Sequence, residues 1–202
     1  FISSRTIHSS EVSERGNTMP EIDKKDQVRS VKVSEETGKL GVTQLVLVAI
    51  LLAAGFILNM TLGNALAITG IKPQFLIAAY CLAILLIQPK LSQGVLIGLL
   101  AAIVCQLTTS IPGLNFLTEA AGSLVITLFA TGALSDKKVM PLIGAFCATL
   151  VSGLLFAVLG TFIMGAALAT VLVKLPLVFG TAVFNAIVVQ ALIIPLRKAV
   201  LH

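Results

Sequence analysis

The stretch Leu91 to Gly113, LSQGVLIGLLAAIVCQLTTSIPG, decides the fold class of this chain. It is apolar for about one membrane width and then ends in hydroxyl side chains and a Pro-Gly step. At helical spacing Gly94, Gly98, Ala102 and Gln106 share one face, which is nearly bare backbone and ends in an amide. The stretch predicts a helix inside a membrane bundle with a polar pocket at one end, although helix packing alone also explains the glycines.

Composition extends this reading to most of the chain. Of 202 residues, 57% are hydrophobic and 11% are charged, and the apolar residues form long runs. Helices of this length can cross a hydrocarbon core of about 30 Å. We therefore expect an all-α integral membrane protein, a bundle of six transmembrane helices over residues 43–61, 73–88, 91–112, 118–135, 139–164 and 176–196. Residues 165–175 are either a loop or an extension of the fifth span.

The charged residues indicate how the chain is organised. Residues 1–40 contain seven basic and seven acidic side chains, so the net charge of +5 belongs to residues 41–202. We expect 1–40 to be a polar tail, disordered or held by a partner, and 41–202 to be the transmembrane domain. Positive residues near span ends indicate membrane topology and not nucleic-acid binding.

An even number of spans places both termini on one side of the membrane. Six of the basic residues from Lys39 onward then share the side of the termini, and two lie on the other side. The positive-inside rule predicts cytoplasmic termini. The six are Lys39, Lys90, Lys137, Lys138, Arg197 and Lys198, and the two are Lys72 and Lys174.

The sequence shows no set of catalytic residues. We therefore expect that the protein is not an enzyme and binds no cofactor. The sequence lacks a phosphate-binding loop, an H-E-x-x-H motif and a G-x-S-x-G motif. The two acids of the apolar part, Glu119 and Asp136, fall at opposite ends of one span, so a proton relay is not expected either. Cys81, Cys105 and Cys147 lie in separate apolar runs, which favours free thiols over a disulfide or a metal site.

Polar residues from several spans fall at the end that is predicted to be extracellular. Such groups are costly in a membrane unless they are paired, so a cluster of them favours a ligand site. The residues predicted to bind a substrate are Lys72, Gln74, Gln106, Thr109, Glu119, Lys174 and Asn185, with Thr108, Ser110, Asn115 and Asn59 nearby.

These residue types suit a zwitterion with a flat ring. Lys72 and Lys174 would hold a carboxylate and Glu119 an ammonium group, while Gln106, Thr109 and Asn185 would orient the ring or its N–H. Loops 61–72 and 165–175 would act as lids, and the aromatic residues expected to wall the pocket are Phe75, Tyr80, Phe116 and Phe179. In the alternative interpretation, the lysines snorkel and Glu119 caps a helix after Thr118.

The first span carries small residues four positions apart, Ala49 and Ala53, followed by Ala54 and Gly55. Small residues at this spacing allow a neighbouring helix to come close. The spacing predicts either internal packing or a docking face for a partner.

Residues 43–198 resemble a known transporter group. Six short spans with Ala-x-x-x-Ala in the first are similar to the substrate-binding S component of energy-coupling factor transporters. Within that group, several segments resemble the bacterial tryptophan transporter family, although Gln74 stands where that family has an acid. The segments are Gly70–Phe75, Leu82–Leu86, Gly94–Ala102, Leu107–Gly113 and the final span with Asn185.

The resemblance implies a multi-pass protein of the prokaryotic plasma membrane that takes up tryptophan or a similar solute. It further implies that Ala49 and Ala53 face a transmembrane coupling subunit and that two cytoplasmic ATPases supply the energy. Two alternatives remain open at this point. One is an S component for a vitamin or modified base, and the other is a non-transporting scaffold subunit that uses its tail as a docking arm.

Overall fold

The computed structural model describes residues 40–68, 73–132 and 137–200, which form helices joined by short connections. The predicted N-terminal tail, except for Leu40, lies outside these residues. The helices are α1 (Val42–Ala67), α2 (Phe75–Ile87), α3 (Leu91–Cys105), α4 (Leu114–Thr131), α5 (Met140–Ile163) and α6 (Ala169–Val200). The expected all-helical fold class is confirmed over this part of the chain.

Four of these helices, α1, α4, α5 and α6, are long and apolar enough to cross a membrane. Large apolar side chains such as Val42, Phe162 and Val173 are exposed on them, at 79%, 78% and 80%. Exposed apolar surface on this scale is unusual for a protein in water. Together these features indicate a membrane protein. The six-span topology and the side on which the termini lie stay predictions.

The helix ends follow local sequence signals. At the starts of α1 and α3, the side chains of Gln44 and Gln93 accept hydrogen bonds from the backbone N–H groups of Gly41 and Lys90. These bonds are the reciprocal half of a capping box. The segment α2 ends at Gln88, which has a φ of 48° and is followed by Pro89. The left-handed residue and the proline together stop the helix.

The shortest helix, α2, lies at the centre of the bundle. Each residue from Phe75 to Leu85 is buried, and α2 contacts each of the other five helices. A 13-residue helix is about 20 Å long, which is less than the thickness of a hydrocarbon core. Because its neighbours surround it, the length of α2 does not have to match the thickness of the bilayer.

The small-residue face of α3 packs against α4. A Cβ added at Gly94 would collide with Thr127, and one added at Gly98 would lie 2.7 Å from the Glu119 carbonyl oxygen. Ala102 is fully buried on the same face. The glycines therefore serve helix packing, while the segment that follows them reaches the polar site described below.

The last helix begins earlier than the sequence indicated. It starts at Ala169 and continues through Pro176, so residues 169–175 are helical and cannot form the predicted lid loop. Pro176 fits inside the helix because proline is tolerated in membrane helices whose neighbours satisfy the freed carbonyl. The other predicted lid, 61–72, is helical up to Ala67, and residues 69–72 lie outside the described part.

Candidate functional site

A cavity of about 670 Å³ opens where α1, α3 and α5 end and where α2, α4 and α6 begin. Its volume is typical of small-molecule sites, which range from about 300 to 1,000 Å³. All six helices contribute to its wall. Its polar side chains are Asn59, Asn64, Gln74, Thr108, Thr109, Ser110, Asn115, Glu119, Thr149, Ser152, Lys174 and Thr181.

A second hollow, of about 760 Å³, is a groove between α5 and α6 with a different character. It is lined only by apolar side chains and a glycine, among them Leu150, Leu172 and Phe179. A groove without hydrogen-bonding side chains offers nothing that would orient a polar ligand. The polar cavity is therefore the candidate site.

Glu119 is the acid of the cavity. It lies in the second turn of α4, is 3% exposed and accepts a hydrogen bond of 3.2 Å at Oε1 from the Ser152 hydroxyl group. Among the described residues, Oε2 has no well-formed hydrogen bond, and no lysine or arginine pairs with the carboxyl group. A buried carboxylate is costly unless it is paired. Glu119 therefore has acceptor capacity left for a cationic group, and a rotation of its side chain would bring the shielded Oε2 to the cavity.

Tyr80 stands behind Glu119, in the centre of α2. Its hydroxyl group lies beside the carboxyl group of Glu119 and interacts with it, although without the geometry of a well-formed hydrogen bond. The hydroxyl group fits against α4 because residue 122 is glycine, where any Cβ would collide with it. Tyr80 thus backs the acid and does not line the cavity.

Lys174 is the base of the cavity and lies on α6. Its ammonium group donates a hydrogen bond of 3.0 Å to Thr161 Oγ1, and the residue is half-buried. An ammonium group has three N–H donors, so two remain for a ligand. Lys174 lies within a helix and not in a loop. The other lysine predicted to bind a carboxylate, Lys72, lies outside the described residues.

Two further predicted residues line the cavity. Gln74 is exposed at the start of α2. Thr109 lies in the loop after α3, where its hydroxyl group accepts a hydrogen bond of 3.3 Å from the backbone N–H of Ile111. That bond fixes the loop from Thr108 to Ile111, which forms part of the cavity wall.

Gln106 and Asn185 do not line the cavity, and their amides bind the protein itself. Gln106 Oε1 accepts a hydrogen bond of 3.1 Å from the Gly113 N–H at the start of α4. Asn185 Nδ2 donates to the Gln74 carbonyl oxygen at 3.1 Å and to Thr149 Oγ1 at 3.4 Å. These bonds hold the cavity wall, and the predicted role of the two amides, to orient a ring, stays a prediction.

The predicted aromatic wall is also corrected. Phe75 packs edge-on against Phe184, with ring centroids 5.7 Å apart, and Phe179 packs in the same way against Phe146. Neither these residues nor Phe116, which is 39% exposed, line the cavity. Phe156 on α5 is the aromatic residue that does.

Sequence reasoning missed the contribution of α5. Thr149, Ser152, Phe156 and Gly160 line the cavity, and these positions recur every three or four residues along one helix face. Hydroxyl residues at this spacing in an apolar run are a signal that could have found this wall. The same spacing explains why the apolar part of the cavity is continuous along α5.

The predicted partner face lies away from the cavity. Ala49 and Ala53 are exposed on α1, whereas Gly55 is buried against α2, where an added Cβ would lie 2.7 Å from the Ala79 side chain. Internal packing of α1 therefore uses Gly55. The two alanines belong to the surface that faces lipid or another protein.

Within the described residues, no group of three or more His, Cys, Asp or Glu side chains is placed to hold a metal ion. The three cysteines are free thiols, and only Cys105 lines the cavity. In comparisons with known proteins, no family model matches the chain, and no curated protein or solved structure is significantly similar to it.

Proposed function

We propose that this protein is a membrane transport subunit that binds a small aromatic zwitterion for uptake, with tryptophan as the best candidate. One observation carries the proposal. A single cavity formed by all six helices holds an acid, Glu119, and a lysine, Lys174, that both retain hydrogen-bonding capacity. Opposite charges with free capacity in one buried space match the two ends of an amino acid.

The rest of the cavity supports an aromatic solute. Three separate segments contribute apolar side chains to its wall, namely Ile111, Phe156, Leu177 and Val178. Apolar walls with a few polar groups are typical of small-molecule sites, and an aromatic ring gains from edge or face contact with a phenylalanine. A solute with an aromatic ring and a zwitterionic end would contact both the apolar wall and the charged groups of the cavity.

The energy source in this proposal is another protein. The chain has no nucleotide-binding motif, and Glu119 is the acidic residue within the described helices. An S-component arrangement fits this pattern, with separate ATPase subunits and a coupling subunit that contacts Ala49 and Ala53. In that arrangement the chain spans a prokaryotic plasma membrane six times, its termini are cytoplasmic, and the cavity faces outward.

Calorimetry with three ligands on the purified protein tests the assignment. Tryptophan carries both charges, tryptamine lacks the carboxylate, and indole-3-propionate lacks the ammonium group. We expect Glu119→Gln to weaken tryptophan and tryptamine about 10- to 100-fold, because a hydrogen bond to a charged group contributes about 1.5–3 kcal/mol. Lys174→Met is expected to weaken tryptophan and indole-3-propionate by a similar factor.

Lys138→Met is the matched control, because Lys138 is exposed at the opposite end of α5 from the cavity. It should leave all three affinities unchanged. The site assignment is wrong if Glu119→Gln and Lys174→Met both bind tryptophan like the unaltered protein. The choice of solute is wrong if mass spectrometry identifies a vitamin or a modified base that copurifies with the protein.

A further inference from the structure

We infer that Asn59 is a second point of polar recognition in the cavity, and that the solute therefore carries an N–H donor in its ring. This inference rests on the proposed function and specifies its substrate class. In the proposed arrangement, Glu119 accepts from the ammonium group and Asn59 accepts from the ring.

Asn59 combines three properties that single it out among the neutral residues. It lines the cavity, it is only 8% exposed, and no described residue donates a hydrogen bond to its Oδ1. Buried polar atoms are nearly always hydrogen-bonded, so such an atom at a cavity wall indicates a ligand contact. The oxygen is shielded by its surroundings, so its pairing with a ligand requires a rotation of the Asn59 side chain.

The local structure of α1 gives this amide its place. Asn59 begins a π-helical turn that runs to Gly63. Such turns are rare in proteins, and those that occur are often found at functional sites. A Cβ at residue 63 would lie 3.4 Å from Asn59 Oδ1 and 3.3 Å from the Pro73 carbonyl oxygen. The glycine thus leaves room for the amide between α1 and the segment before α2.

Several other side chains near the site already make hydrogen bonds to the protein. Asn64, one turn further along α1, donates to the Met60 carbonyl oxygen at 2.9 Å. Gln106 and Asn185 bind backbone groups, as described above. Ser152 donates to Glu119, and Thr149 accepts from Asn185. Asn185 Oδ1 also lacks a donor among the described residues, but Asn185 does not line the cavity. Asn59 is therefore the cavity-lining amide whose buried oxygen lacks a donor.

The expected consequence is discrimination between rings. A site that hydrogen-bonds a substrate N–H rejects an analogue without it, because the site's polar group is left unpaired. Indole rings satisfy Asn59. Phenyl and benzothiophene rings are apolar like indole, but they lack its N–H donor.

Binding of L-tryptophan and of 3-(3-benzothienyl)alanine to the purified full-length chain tests the inference. The second compound replaces the indole N–H by sulfur and keeps the amino-acid end. We expect the unaltered protein to prefer tryptophan at least about 10-fold, and Asn59→Leu to bind the two compounds with equal affinity. Binding of the benzothienyl compound by Asn59→Leu also shows that this variant is folded.

The outcomes separate the two proposals. Equal binding of both compounds by the unaltered protein overturns the role of Asn59 and leaves the proposed function intact. A tryptophan preference that survives in Asn59→Leu also overturns it, and Asn59→Ala gives the same comparison where the leucine variant does not fold. If the unaltered protein binds neither compound, the proposed function fails and this inference fails with it.

Discussion

Asn185 joins three helices through one buried amide. It is fully buried on α6, and its Nδ2 donates to the Gln74 carbonyl oxygen at the start of α2 and to Thr149 on α5. In a low-dielectric interior, loss of one partner leaves the others unpaired. The residue therefore fixes the wall from which Gln74 and Thr149 face the cavity.

We expect Asn185→Ala to destabilise the protein by about 1–3 kcal/mol, because it leaves a buried carbonyl and a hydroxyl group with fewer partners. For a chain of this size that corresponds to a fall in melting temperature of roughly 2–12 °C, measurable by thermal unfolding in detergent. Ile187→Ala is the control, since Ile187 is 58% exposed on the same helix. A normal melting temperature with weakened tryptophan binding would instead support direct contact between Asn185 and the ligand.

The residues of the candidate site differ in how well the sequence predicts them. Glu119, Lys174, Gln74 and Thr109 line the cavity, and alternation of helix direction was enough to place them at one end. The direction of each side chain was not predictable, because the helices are apolar on nearly every face and lack the asymmetry that orients a helix in water. The engagement of Gln106 with Gly113 therefore required the three-dimensional structure.

At the scale of elements, the contact between α3 and α4 controls the position of Glu119. Gly98 lies directly against the backbone of Glu119 and the side chain of Ser123. Close backbone approach at glycine is a common way for membrane helices to pack. The sequence identified this stripe on α3, whereas the position of the facing residues on α4 emerged only from the fold.

We expect Gly98→Ala to cost about 1–3 kcal/mol of stability, because the new Cβ would lie 2.5 Å from Ser123 Cβ and 2.7 Å from the Glu119 carbonyl oxygen. The displacement of α4 should also weaken tryptophan binding. Thermal unfolding and calorimetry measure the two effects. Gly41→Ala is the control, since its Cβ would meet only Gln44 Oε1 at 3.9 Å. Unchanged stability in Gly98→Ala would show that the two helices are free to separate.

The helix boundaries show where sequence patterns are ambiguous. The six apolar runs correspond to the six helices, but α6 begins at Ala169 and not at residue 176. The apolar run is interrupted by Lys174, so the span was predicted to begin after it, yet Lys174 and Pro176 both lie inside the helix. As a result Lys174 is held by a helix, and it is positioned by its bond to Thr161.

At the scale of the whole molecule, the proposed binding site and the proposed coupling face lie on different surfaces. The cavity is enclosed by the ends of six helices, whereas Ala49 and Ala53 are exposed on the outer side of α1. A subunit that only binds the solute needs the first surface alone. One that delivers it with the help of a coupling subunit needs both.

We expect Ala53→Leu to leave tryptophan affinity and melting temperature unchanged, because the residue is exposed and distant from the cavity lining. Uptake by cells should fall at least several-fold, because bulk at a small-residue face prevents close helix approach. Radiolabelled tryptophan uptake measures this effect, with Ile50→Leu, another exposed change on α1, as the control. Normal uptake by Ala53→Leu would remove this face from the proposed coupling interface.

A structure of the purified protein with tryptophan, in a lipid nanodisc, is the most direct measurement. We predict ligand density in the cavity, with the ammonium group within hydrogen-bonding distance of Glu119 and the carboxylate directed to Lys174. Density for tryptophan elsewhere, or a cavity closed by side chains in the presence of saturating ligand, would contradict the proposal that this cavity is the solute site.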